Sequence, residues 1–179
     1  MKCIIGKHLF KVQHKTYVFA QGISSECGDK YHCLFLDFDG YELSKVEVCC
    51  RILQRKFGVG TFYIFQSDKN AYHAMCISKF LMREILWMQD FIGIEKNYIA
   101  LCYRRSHWTL RVSGKGKREA PFHILTLSAP TKRYTSSAHA KWLNVYHKID
   151  VQGSDDLSKL VIERYATFPV HIRQNDKVL

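Results

Sequence analysis

The sequence predicts an α+β fold, an antiparallel sheet with helices on one face, and three observations predict it. An uninterrupted apolar run, Cys33-Leu34-Phe35-Leu36, leads to turn-forming Gly40, as a strand buried on both faces would. Next comes an apolar stripe at helical spacing, and then two β-rich runs, 61–65 and 72–77, parted by turn residues 66–70. A second helical stripe and further strand-like runs follow. The order β-α-β-β-α-β from residue 32 to about 112 is the split β-α-β arrangement, here with extra strands and C-terminal helices. Its second face would be open for ligands.

Each element has its own reason. Residues 9–20 read as a strand or hairpin leading into a loop over 22–30, and 32–39 as the buried strand. Ser44-Lys45-Val46-Glu47 has the S-x-x-E pattern of a capping box, in which the Ser and Glu side chains each satisfy a free N–H at a helix start. Val46, Cys49, Cys50, Leu53 and Phe57 recur at helical spacing, and Gly58 and Gly60 supply the stop. After the hairpin, Ser78 is placed to cap a helix whose buried stripe is Leu81, Ile85, Met88 and Ile92, ended by Gly93. Strands are expected at 98–103, 108–112 and 122–127, the last two parted by a Gly/Lys turn. Helices are expected over 136–148 and 154–166, the second capped by Ser154 with Asp155 and Asp156 in its first turn.

Composition bounds the function classes. A chain of 179 residues suits one domain over 1–179, with a core at about 32–128. Its 47% hydrophobic and 13% aromatic content argues for a folded globule and against disorder. Lys and Arg outnumber Asp and Glu by 27 to 16, which points to a polyanionic partner such as nucleic acid or nucleotide phosphate, the plain alternative being a merely basic surface. The 7 cysteines are odd in number and include no CxxC, which argues against a zinc module; Cys27, Cys33 and His32 are the nearest thing to a cluster. The start MKCIIGKHLF is too short and polar for a signal peptide, and no run approaches a membrane span, so a soluble, cytoplasmic protein is expected.

Three features carry the chemistry. Asp37 and Asp39 stand at i and i+2 of a strand, so both carboxylates point to one face and repel, a repulsion that a bridging divalent cation relieves. His73 lies just past the hairpin turn. The run Trp108–Arg118 carries Arg111, Lys115, Lys117 and Arg118, with Arg104 and Arg105 on the strand before it. Arg111 and Ser113 alternate onto one face, while Lys115 falls on a glycine-flanked turn where backbone can approach phosphate. Carboxylates for metal, a neutral His donor and Arg/Lys for phosphate are the parts phosphoryl transfer needs. Each also has a duller explanation. Asp39-Gly40 is a turn signal, Asp37 a buried carboxylate, His73 a structural histidine, and the GKGKR run a solvated turn.

In that order, FLDFDG, AYHAMCI and WTLRVSGKGKR, the chain resembles the catalytic core of archaeo-eukaryotic primases and primase-polymerases over about residues 32–128. The family carries DxD on one strand, small-x-His on a hairpin, a hydrophobic–Asp pair, and a strand with Arg followed by a Ser-x-Lys-type turn. The resemblance implies a template-dependent nucleotidyltransferase that makes or extends primers on single-stranded DNA from NTP or dNTP. It implies that Asp37 and Asp39 hold two divalent cations, Mg²⁺ or Mn²⁺, and that His73 touches the incoming phosphates. Arg111 and Lys115, with Ser113 between them, would meet the triphosphate, and Arg104, Arg105, Lys117 and Arg118 the nucleic acid. Ala71 stands where Ser often precedes x-His. No Asp matches the third motif, so Glu95 of Ile94-Glu95 is the candidate third carboxylate and metal ligand, with Asp90 the other candidate.

Template bases would stack on Tyr72, Tyr103 and Trp108, and a helicase or replication protein would act in trans. Two other functions compete. One is a non-catalytic nucleic-acid-binding module on the same RRM-like sheet, which leaves the carboxylate pair unexplained. The other is a haloacid-dehalogenase-type phosphatase, which FLDFDG also resembles, although Tyr41 stands where that family has Thr and GSDD at 153–156 is a poor match to its downstream acidic motif.

Overall fold

Nine strands and four helices make up the residues that the computed structural model describes, which are 2–5, 8–11, 18–28, 30–130, 133–154 and 160–167. The chain begins with the hairpin β1 (Lys2–Ile5) and β2 (His8–Lys11), then β3 (Val18–Ser24) and β4 (Tyr31–Asp39). Helix α1 (Leu43–Phe57) leads to β5 (Phe62–Asp68) and β6 (Ala71–Leu81), and α2 (Met82–Phe91) to α3 (Lys96–Arg105). Strands β7 (Thr109–Arg111) and β8 (Phe122–Leu127), helix α4 (Ser137–His147) and strand β9 (Ile162–Thr167) complete it. No helix among the described residues is long and apolar enough to cross a membrane.

The α+β class holds. Strands β4, β6, β5 and β8 form one antiparallel sheet in that order, so the first strand lies beside the third and the second flanks it, as the split β-α-β order requires. The fourth strand departs from the expectation. β7 pairs with β3, which also pairs with β9 in a separate antiparallel sheet, β7-β3-β9.

Side-chain alternation divides the faces of the larger sheet. Val46, Cys49, Cys50 and Leu53 of α1 are buried, and Cys50 lies near Cys76, an even-numbered side chain of β6. On the opposite face Phe35 meets His139, and Phe65 meets Trp142 and His147, all three from α4. Helices therefore lie on both faces. The ligand-facing side remains open only beyond α4, where Asp37, Asp39 and His73 stand.

Several elements differ from the sequence reading, each for a packing reason. Helix α1 starts two residues early, with Glu42 and not Ser44 as N-cap and no side-chain cap, so Ser44 lies inside the helix. Gly22 belongs to β3, where it pairs with Arg111 and Glu163. Strand β6 continues through buried Ser78 to Leu81, and α2 is closed instead by Glu84, whose Oε2 accepts from the Leu81 N–H at 2.7 Å. Gly58 does close α1 in the left-handed conformation, φ +63°.

The run 98–103 forms α3 rather than a strand. Tyr98, Ile99 and Cys102 turn inward at i, i+1 and i+4 while Ala100, Leu101 and Tyr103 remain exposed, an arrangement only a helix gives. Of the helix expected over 154–166, residues 155–159 lie outside the described residues and Ile162–Thr167 is strand β9. Its partners on β3 lie far away in sequence, a pairing that local pattern does not encode. Ser154 Oγ accepts from Thr135 N–H at 2.7 Å. Gly153 lies so close to the Ser137 backbone that any Cβ there would overlap it.

Candidate active site

The site is built first by register. Asp37 pairs with His73 and Asp39 with Ala71 across β4 and β6, so the two acids and the imidazole share one face of adjacent strands. The row continues through Phe65 to His123 on β8. Both long strands are anchored by residues such as Leu34, Leu36, Phe38, Ala74 and Cys76, all wholly buried.

His73 is buried, and desolvation with the nearby Arg111 guanidinium holds its pKa down to about 3, against a backbone hydrogen bond with Arg111. The ring is therefore neutral at physiological pH. Its Nε2 stands 3.5 Å from Asp37 Oδ1, which is enclosed and has no hydrogen-bond partner. Burial pushes Asp37 up to about 7, and Asp39 and Glu95 add to the shift, while Arg111 and Lys115 oppose it. The site thus favours one more positive charge beside Asp37, a proton or a cation.

Two chambers meet at this pair. The smaller, about 170 Å³, is lined by Tyr41, Gly93, Ile94, Glu95 and Tyr98 besides Asp37 and Asp39. The larger, about 410 Å³, runs from the same aspartates past His73 and Ser67 to Arg105, Arg111, Lys115 and Arg118. One end of the combined cavity is acidic and the other cationic. Glu95 occupies the N-cap position of α3, with Oε1 accepting from Asn97 Nδ2 at 3.1 Å. Among the described residues, no group of three or more His, Cys, Asp or Glu stands together as a metal-holding set. Two carboxylates nevertheless suit Mg²⁺ or Mn²⁺, because such ions keep waters and take their remaining ligands from phosphate oxygens.

The cationic wall is assembled differently. Arg111 Nη1 donates to the Ser113 and Glu119 carbonyls at 2.8 Å each, and Nη2 donates to the Ser67 carbonyl at 2.7 Å. Arg111 therefore ties β7 to the 113–119 loop and to the end of β5, and its charge reaches the cavity from a fixed position. Ser113 turns toward β3, with Oγ accepting from Gln21 N–H at 2.8 Å. Lys115 and Arg118 exchange both backbone hydrogen bonds around a two-residue turn in which Gly116 takes φ +61°. Arg118 Nε contacts Asp68 Oδ2 at 2.8 Å. Burial and the Arg118 and Arg111 charges push Lys115 below its ordinary value, with Asp39 and Asp37 pulling the other way.

Among the residues singled out by sequence, the cavity gathers Asp37, Asp39, His73, Arg105, Arg111, Lys115 and Arg118, with Glu95 in the acidic chamber. Arg104, Lys117 and Ser113 do not line either chamber, and Asp90 is exposed at the end of α2. Tyr72 and Trp108 are buried and offer no stacking surface, whereas Tyr103 is exposed. Sequence reasoning missed the α3 wall, in which Tyr98, Leu101, Cys102 and Arg105 face the cavity at i, i+3, i+4 and i+7. That spacing was the available signal. It also missed His107 and Thr109, which line the larger chamber and are held by Glu163 of β9 at 2.8 Å each. Nothing local announces that pairing. Cys102 is a bystander, since burial pushes its thiol up to about 12.

Fold and site together define an α+β protein with a cavity that is acidic at one end and cationic at the other. No family model, curated protein or solved structure matches the chain.

Proposed function

We propose that the protein is a template-dependent nucleotidyltransferase of the primase-polymerase kind, making or extending primers on single-stranded DNA. The observation that carries this reading is the enclosed, unpartnered Asp37 Oδ1 at the junction of an acidic and a cationic chamber. A carboxylate pair at the mouth of a phosphate-sized basic cavity is what a metal-assisted reaction on a nucleoside triphosphate requires.

Asp37 and Asp39 would hold Mg²⁺ or Mn²⁺, with Glu95 facing the same chamber. When bound, the metal would bring a 3′-hydroxyl and an α-phosphate together and offset the charge developing on pyrophosphate. Lys115, Arg118 and Arg105 would bind the phosphates of an incoming NTP or dNTP. Arg111, already occupied by three carbonyls, holds Lys115 and Arg118 in position and adds its charge from behind. Neutral His73 keeps Asp37 from a full ion pair and so leaves that carboxylate available. Exposed Tyr103 and Arg104 on α3 would follow the single-stranded template.

Purified protein with Mg²⁺ or Mn²⁺ should make or extend a primer on single-stranded DNA. Undiminished extension by the Asp37→Ala/Asp39→Ala double variant would overturn the reading. The cationic wall of Arg105, Arg111, Lys115 and Arg118 also suits a second reading, a nucleic-acid-binding module without catalysis. The two separate cleanly, because nucleotide binding needs divalent metal only under the first.

A further inference from the structure

The helical layer on the far side of the sheet carries an apolar ridge that the proposed reaction does not use. On α1, Val48 and Ile52 are one turn apart and exposed, and Lys56 continues the row at the next turn. Lys56 Nζ sits 4.1 Å above the Phe91 ring of α2. Half-buried Phe57 meets Trp87 and Phe91 edge-on, at 5.1 and 5.3 Å between centroids. Trp87 is 64% exposed, although tryptophan is ordinarily well covered. The ridge is thus contiguous and led by an aromatic of the type that dominates protein interfaces.

Its rim is basic. Arg55 and Lys56 occupy the last turn of α1, Arg83 lies one turn before Trp87, and Lys45 covers Tyr41 at the other end. Of the nearby acids, Glu84 is paired with Arg133, and Asp90 on α2 and half-buried Glu47 on α1 stand against the cations Lys45, Arg55, Lys56 and Arg83. A second copy of the chain would bring two such rims together on molecules of net charge +11, which is unfavourable. Nucleic acid would meet the rim, but Val48 and Ile52 cannot stack on bases and Lys56 covers Phe91.

We propose that this ridge docks an acidic amphipathic segment of a partner protein, its apolar side chains against Trp87, Ile52 and Val48 and its carboxylates on the Arg55, Lys56 and Arg83 rim. None of Val48, Ile52, Lys56, Trp87 and Phe91 lines either chamber, although Tyr41 and Gly93 at the ends of this layer do, so the partner would sit beside the cavity and not in it. The proposal does not depend on the reaction assigned above.

The probe is a fluorescein-labelled synthetic helical peptide with Glu on one face and Leu and Phe on the other, titrated by anisotropy. Trp87 emission is a second signal, since Trp108 and Trp142 are buried. Binding should weaken with added salt. It should also fall at least about tenfold in Trp87→Ala and, separately, in Lys56→Glu, both exposed changes that leave circular dichroism unaltered. No binding of the peptide, or binding unchanged in both variants, would overturn the proposal. So would single-stranded oligonucleotide binding that is lost in Trp87→Ala, or a dimer in sedimentation that Trp87→Ala dissolves.

Discussion

The acidic and cationic halves of the cavity are built in opposite ways. Asp37, Asp39 and His73 stand on strands of nine and eleven residues anchored in the core, and Asp37 Oδ1 is left without a hydrogen-bond partner. Arg111 and Ser113 come from a three-residue strand and its loop, and their donors are spent on backbone carbonyls and a neighbouring strand. The acids rest on packing and have spare binding capacity; the cationic wall rests on its own hydrogen bonds. A ligand should therefore find its affinity at the acids and its alignment at Arg111.

Breaking the acidic half should give the largest effect on activity. Asp37→Ala with Asp39→Ala is expected to lower primer extension by about a hundredfold or more, with circular dichroism and melting largely unchanged. Breaking the other half should instead damage the fold. Arg111→Ala would leave three carbonyls without their charged donor and cost roughly 3 kcal/mol in urea unfolding. Arg111→Lys should rescue little, because one ammonium cannot reproduce the planar fork. If either Arg111 variant keeps full stability but loses nucleotide binding, the contrast drawn above fails.

Acid should weaken the sheet from its other end. Burial lowers His147, His123 and His32 below their ordinary value, so the unfolded chain takes up protons first as pH falls. The contribution of these histidines is thus fully present above about pH 6.5 and declines below it, whereas Asp37, raised to about 7, acts in the opposite sense. The urea midpoint should drop between pH 7 and 5, and His147→Asn should flatten that slope. A smaller effect sharpens the view of Asp37 as a strained carboxylate. Asp37→Asn should gain roughly 1 kcal/mol at pH 8, after discounting for solvent screening. Mg²⁺ should raise the melting temperature of the unaltered protein but not of this variant. The smallest effect belongs to Lys117, exposed and outside the cavity lining, where Lys117→Ala should change nucleotide affinity by less than about twofold.

What the sequence disclosed follows the same divide. The run 33–36 and the turn at 66–70 are local signals, and with them came β4 and the β5–β6 hairpin, though not the register that sets Asp37 opposite His73. Helix α3 was misread because YIALCY is too short an apolar run to separate strand from helix by periodicity alone. Strand β9 and the grip of Glu163 on His107 and Thr109 depend on pairing with β3, more than a hundred residues earlier in the chain. Arg111 was legible as a cation facing phosphate, but its three carbonyl partners were not, since they come from Ser67, Ser113 and Glu119 and exist only once the loop has closed.

That long-range pairing sets an order in time. Strands β4, β5 and β6 can close once residue 81 has been made, through a hairpin and one short crossover. The pairing of β9 with β3 must wait for residues 162–167 and bear the loop-closure entropy of almost the whole chain. A growing chain would therefore have its carboxylates and Arg111 in place well before Glu163 grips His107 and Thr109, which would be among the last groups of the cavity to be fixed.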